Sequence, residues 1–237
     1  MQQPYCIYFR FWGFPVTVQP FFWLLAVFLG RPDQITNLAV DLMEIAVWVA
    51  AVFVAILVHE LGHALVFRHL FRVNASIVLH GMGGYAMPSY PPQRKRGWRG
   101  FWSFILLDAA GVGAGFLLAL LAYLIFLLIP STADDNIAAM MVKHWLLNIV
   151  GIGIVWGIFN LLPIIPLDGG RISQEICSAL MPRRGHRVAL CLSLACTTLL
   201  TVLAVKYGEI FLIIIFGYFA YHNYQELAWK MGRPPRF

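Results

Sequence analysis

The chain has 237 residues, of which 60% are hydrophobic and only 12% charged, with a mean hydropathy of +0.75. A soluble globular domain carries about twice that share of charge, so a water-soluble enzyme is excluded and a chain that lives in a lipid bilayer is expected. The net charge of +6 does not point to nucleic acid, because the basic residues sit in the connections between apolar runs, where lipid headgroups attract them.

Taken in chain order, GFPVTVQP at 13–20 alternates like a short strand. A brief apolar run from Phe21 to Leu29 follows, which reaches spanning length only with the semi-polar Pro15 to Gln19 included. Four longer runs, Ile45 to Phe67, Phe101 to Ile129, Trp145 to Pro166 and Val188 to Val205, meet or approach the roughly 20 helical residues needed to cross about 30 Å of hydrocarbon. A last short run extends from Ile210 to Tyr221. The fold class expected is therefore an all-α polytopic membrane protein of about six transmembrane helices. One domain is expected over 1–237, with core helices at about 45–67, 101–129 and 145–166 and accessory spans at about 15–30, 188–205 and 210–222.

Between the second and third spans, ASIVLHGMGGYAMPSY is rich first in β-branched residues and then in glycine. It reads as one or two short strands over 75–87 with a turn near Gly81 to Gly84, pairing at the membrane face with the strand at 14–19. Small residues in AAGVGAG (109–115) and GIGIVWG (151–157) let helix backbones approach closely, which places the third and fourth spans against the second. The aromatics Phe11, Trp12, Phe21, Phe22, Trp23, Trp98 and Trp102 read as interfacial belts. Cys6, Cys177, Cys191 and Cys196 form no C-x-x-C pair and read as buried free thiols.

Topology follows from charge. Arg68, Arg72, Arg94, Lys95, Arg96 and Arg99 follow the second span, and Arg171, Arg183, Arg184 and Arg187 follow the fourth, whereas Gly30 to Glu44 and Ser131 to Lys143 are acidic or mixed. By the positive-inside rule both termini are cytoplasmic, and the second, fourth and sixth spans run inward. The first apolar run starts only near residue 20 and lacks a small-x-small cleavage site, so the N-terminus is expected to be retained.

The second span contains ILVHELGHALVF at 56–67. His59 and His63 are four residues apart, so on a helix their imidazoles share a face and can converge on one metal, while Glu60 lies beside that face, able to reach a metal-bound water without being a ligand. Ionisable groups inside a transmembrane helix are functional by default. A catalytic zinc needs a third protein ligand, and the intramembrane candidates are Asp108, Asp168 and His222. Asp168 is the best of them. It lies in NLLPIIPLDGG (160–170), where Pro163 and Pro166 interrupt the helix and Gly169 and Gly170 free the backbone. Irregular backbone at membrane depth is tolerated inside protein or beside a water-filled cavity, and the inward direction of spans two and four puts both motifs in the cytoplasmic third of the bilayer. Asp108 admits two readings: a hydrogen-bond partner of a zinc-ligating histidine, or a group facing cytoplasmic water. His80 reads as a polar loop residue, and His69, His144, His186 and His222 as interfacial.

With HELGHA at 59–64 and NLLPIIPLDGGRI at 160–172 together, the chain resembles the site-2 protease family of intramembrane zinc metalloproteases, in a form with no PDZ-like or CBS-like segment. GFPVTVQPFFW, GMGGYAM and the glycine-rich third span extend the likeness over most of the chain. The third span departs from the family habit of Gly-Pro followed by an asparagine: Val112 follows Gly111, and Gly115 falls near the asparagine position. The resemblance implies that His59, His63 and Asp168 bind one zinc ion per chain, that Glu60 is the catalytic base, and that Asn160 helps hold the substrate or the oxyanion. The expected activity is cleavage of transmembrane segments of membrane-protein substrates within the bilayer. An edge strand within 75–87 would hold the unwound substrate by β-augmentation, with Gly83 and Gly84 permitting close approach.

Three other functions are weighed. A metal-binding transporter would show polar groups along a whole path and has no use for Glu60. A catalytically silent membrane scaffold has no need of Glu60 either. A different membrane zinc hydrolase would take Glu175 as ligand, against the LDGG context of Asp168. No regulatory membrane partner is named by the sequence.

Overall fold

The computed structural model describes residues 5–30, 37–93, 97–130, 137–230 and 232. The elements in order are β1 (Ile7–Phe11), β2 (Phe14–Val18), α1 (Pro20–Leu29), α2 (Leu38–His69), β3 (Ala75–His80), β4 (Gly83–Pro88), α3 (Trp98–Leu128), α4 (Ile137–Asn160), α5 (Asp168–Leu180), α6 (Gly185–Tyr207) and α7 (Ile210–Lys230). Arg94, Lys95 and Arg96 of the basic connection, and residues 31–36 and 131–136 of the acidic or mixed ones, lie outside the described residues. The chain forms two compact units, Met1–Arg94 with Ala110–Gly157, and Lys95–Ala109 with Ile158–Phe237.

The first unit holds a four-stranded sheet in the order β1-β2-β3-β4. β2 and β3 run parallel, with Val16 opposite Ile77 and Val18 opposite Leu79, while β1–β2 and β3–β4 are antiparallel hairpins. Alternation explains the two central strands: Phe14, Val16 and Val18, with Ala75, Ile77 and Leu79, all point to the buried face. The β1–β2 turn uses left-handed Trp12 and Gly13, at φ 50° and 84°, and α2 secures it. Arg68 donates from Nη1 to the Trp12 carbonyl at 2.9 Å and lies 4.2 Å from the Phe14 ring centre.

α2 is capped by Asn37, whose Oδ1 accepts from the Ala39 N–H at 3.1 Å. Its middle packs on α3 and α4 through a core of Ala51, Ala122, Leu146 and Ile149. Higher on the same helix, a Cβ at Gly62 would overlap the Ala110 carbonyl of α3 and lie 2.9 Å from Ala114 Cβ. The two backbones meet because Gly62 has no side chain. Gly62→Ala is therefore expected to lower stability by about 1–3 kcal/mol through overpacking. Gly151→Ala, where nothing lies within 4 Å, should be neutral or slightly stabilising. Denaturant titration of both variants in detergent checks this, and equal midpoints would disprove the close α2–α3 contact.

By length and composition, four described helices can cross a membrane: α2, α3, α4 and α6. The other two of the six expected spans are not confirmed. α1 has ten residues, about 15 Å of helix, half the hydrocarbon thickness. It lies instead against α2, with Trp48 Nε1 donating to the Ala26 carbonyl at 3.1 Å and Trp23 stacked on Phe53 at 5.5 Å. α7 is long enough at 21 residues, but from His222 onward it turns polar, with Asn223, Gln225, Glu226 and Lys230. Phe22 is also not an interfacial aromatic, being buried against Phe53, whereas Phe11, Trp12, Phe21, Trp98 and Trp102 are exposed. The four cysteines are free but at least partly exposed, with Cys191 on an outward helix face.

In the second unit α4 stops at Asn160, as Pro163 and Pro166 require, and the chain turns through 161–167 before α5 begins at Asp168. Ile164 in that turn is wholly buried and packs with Phe216 and Phe219 of α7. α6 ends on Gly208 in the left-handed conformation, with φ 74°. His186 and Glu226 meet at 2.8 Å, tying the start of α6 to the far part of α7.

Candidate metal centre

Within the first unit, one turn of α2 presents His59, Glu60 and His63, all at most 7% exposed. The two Nε2 atoms face each other 3.2 Å apart. Two nitrogens each about 2.0–2.1 Å from a tetrahedral zinc stand roughly 3.3 Å apart, so the imidazoles already have the separation a shared zinc demands. α3 supplies the space in front of them. A Cβ on Gly111 would overlap the His63 ring at Nε2 and lie 2.8 Å from His59 Nε2, so only glycine leaves that volume open. The departure at Gly115 does not intrude there, since a Cβ at that position would sit 4.0 Å from His59 Nδ1, on the other side of the ring.

Glu60 rests against β4. A Cβ on Gly84 would come 2.7 Å from Glu60 Cγ and 3.0 Å from its Oε1, and one on Gly83, whose φ is +116°, would come 2.6 Å from Trp156 Cζ2. The close approach that the two glycines permit is thus made to Glu60 and Trp156 of the protein itself. Replacing both with valine would displace Glu60 as well as alter the strand. The other edge of β4 carries no strand partner among the described residues.

Within the second unit, Asp168 is the first residue of α5 and is buried. A carboxylate there is favoured by the positive end of the helix. Gly169 and Gly170 let the helix start tuck beneath the preceding turn: side chains at these positions would run into the backbone of Leu161 and Leu162, and of Ile164 and Ile165. Asn160, the last residue of α4, is buried as well. Asp108 is buried, and Arg171 Nη1 lies 3.9 Å from its Oδ1. His222 is exposed beside Tyr218, and Glu175 is partly exposed, so neither matches the buried character of Asp168. His80 closes the β3–β4 turn, its Nδ1 accepting from the Met82 N–H at 3.2 Å, and burial lowers its pKa below the usual histidine value. Two imidazoles and a carboxylate, His59, His63 and Asp168, make a donor set compatible with zinc.

Sequence reading missed three buried polar residues near the Asp168 segment: Ser193, Thr197 and Asn223. A lone amide at Asn223 within the aromatic stretch FAYHNY was the only signal.

An apolar helix that carries H-E-x-x-H and is long enough to cross a membrane fits a membrane-embedded metallohydrolase by class. Comparison with known proteins agrees. The model of peptidase family M50 matches residues 128–201. The zinc metalloprotease MJ0392 of Methanocaldococcus jannaschii is 28% identical over 171 residues, covering 72% of this chain; the chain spans 44% of that relative's length. The solved site-2 protease from the same organism shares the fold, with a TM-score of 0.60 at 22% identity, covering 94% of this chain and 95% of that one. These likenesses support the site-2 protease family of zinc metalloproteases.

Proposed function

We propose that the chain works as one intramembrane zinc endopeptidase domain, cutting transmembrane segments of membrane-protein substrates. The observation that carries this reading is the buried Nε2 pair at zinc-sharing distance, with Glu60 alongside and Gly111 leaving the space before it open. His59, His63 and Asp168 would hold one zinc ion per chain, with Asn160 and Glu60 outside the ligand set. Bound zinc would supply Lewis acidity and make its water a much stronger acid.

The chain's own residues do the rest. Glu60 takes a proton from the attacking water and returns it to the leaving amine. The Asn160 amide donates to the scissile carbonyl oxygen as charge develops on it. A helical substrate must unwind before its carbonyl can be reached, and the edge of β4 at Gly83 and Gly84, which has no strand partner among the described residues, offers main-chain bonds to the extended form. Arg183 and Arg184 between α5 and α6, with Arg187 in the first turn of α6, support an orientation with both termini cytoplasmic and the site in the inner third of the bilayer.

Metal analysis tests the ligand set without knowledge of the substrate. About one zinc per chain is expected in the wild type, with loss in His59→Ala and Asp168→Ala. A wild type that purifies without zinc, or an Asp168→Ala chain that keeps it, would refute the assignment.

A further inference from the structure

Between Asn160 and Asp168 the chain has no helical ladder, so its backbone groups need partners from elsewhere. At Ile165, three residues before Asp168, both groups are met by side chains of later helices. The Ile165 N–H donates to Ser193 Oγ of α6 at 2.9 Å, and its carbonyl accepts from Asn223 Nδ2 of α7 at 2.8 Å. Ser193 and Asn223 are both 0% exposed. Asn223 Nδ2 also donates to the Phe219 carbonyl at 2.7 Å, while its Oδ1 is buried with no hydrogen-bond partner among the described residues. An unsatisfied buried oxygen is a cost that leucine at the same place would not carry. What the amide contributes in return is its hold on Ile165. The neighbouring Ile164 is locked between Phe216 and Phe219 of α7.

We propose that Ser193 and Asn223 are positioning residues that fix the 161–167 segment so that Asp168 is presented for metal binding. The inference rests on the zinc reading above. A metal that needs Asp168 binds only the fraction of molecules in which the segment is held, so its apparent Kd rises as that fraction falls. Loss of one such bond is worth about fivefold, and loss of both about 25-fold. Thr197 provides an internal comparison: it is equally buried on α6, but among the described residues its Oγ1 bonds to the Ser193 and Leu194 carbonyls of its own helix, at 2.8 and 3.0 Å.

The test is the zinc Kd of the whole chain in detergent, by chelator competition well below the unfolding temperature. The chains compared are the wild type, Ser193→Ala, Asn223→Leu, the double variant and Thr197→Val. Expected are about fivefold weakening in each single variant, about 25-fold in the double, and wild-type affinity in Thr197→Val. A wild type that binds no zinc overturns the zinc reading itself. Zinc binding at wild-type affinity in the double variant, or equal weakening in Thr197→Val, overturns the positioning role alone. Should the double variant fail to fold, the fivefold change in Ser193→Ala decides the matter by itself, unchanged affinity there counting against the proposal.

Discussion

Gly111→Ala is expected to empty the metal centre while leaving the helices folded. The added methyl would occupy the space before the Nε2 pair, overlapping the His63 ring and lying 2.8 Å from His59 Nε2. His63 can escape only by turning its Nε2 away from His59, which breaks the 3.2 Å pairing that zinc would share. Alanine favours a helix over glycine by about 1 kcal/mol, so α3 itself loses nothing by propensity. Zinc affinity should fall by at least about 100-fold, the upper end of what disturbing a ligand's support costs. Gly113→Ala, two residues along the same helix and facing open space, should retain the metal. Metal content with circular dichroism of both variants decides it: a Gly111→Ala chain that keeps zinc would show that the space before the histidines is not the metal's.

Glu60→Gln separates binding from chemistry. Glutamine keeps the shape that packs against Gly84 but cannot accept and return the proton. Cleavage of a transmembrane substrate should fall by about 10²–10⁴-fold, the contribution of a positioned general base, with zinc content unchanged. Retained cleavage would place the base elsewhere, and lost zinc would make Glu60 a ligand.

The legible parts of this molecule are those in which residue type and spacing carry the signal. A four-residue interval sets His59 over His63 on any helix, and the prolines and glycines around Asp168 announce a broken helix. Alternation in PVTV marked β2 and β-branched residues in SIVL marked β3, but β1 reads IYFRF, without alternation, and forms by pairing at the sheet edge. α5 follows a motif that reads as loop, and its mixed polarity hides it from a search for apolar runs. Apolarity alone also does not settle the number of spans, because Phe21 to Leu29 is as greasy as a spanning helix but only about half as long. The bonds to Ile165 were not legible at all. Their partners are backbone atoms, which every residue possesses, so no residue type could announce them.

The parallel pairing of β2 with β3 also bears on how the chain assembles. The two strands flank residues 19–74, which contain α1 and α2, so their union must wait until both helices are in place, however quickly each hairpin forms locally. Among the described residues β4 pairs in the sheet with β3. The strand against which Glu60 rests therefore gains its final support late in biogenesis, after the helix that carries the histidines has been laid down.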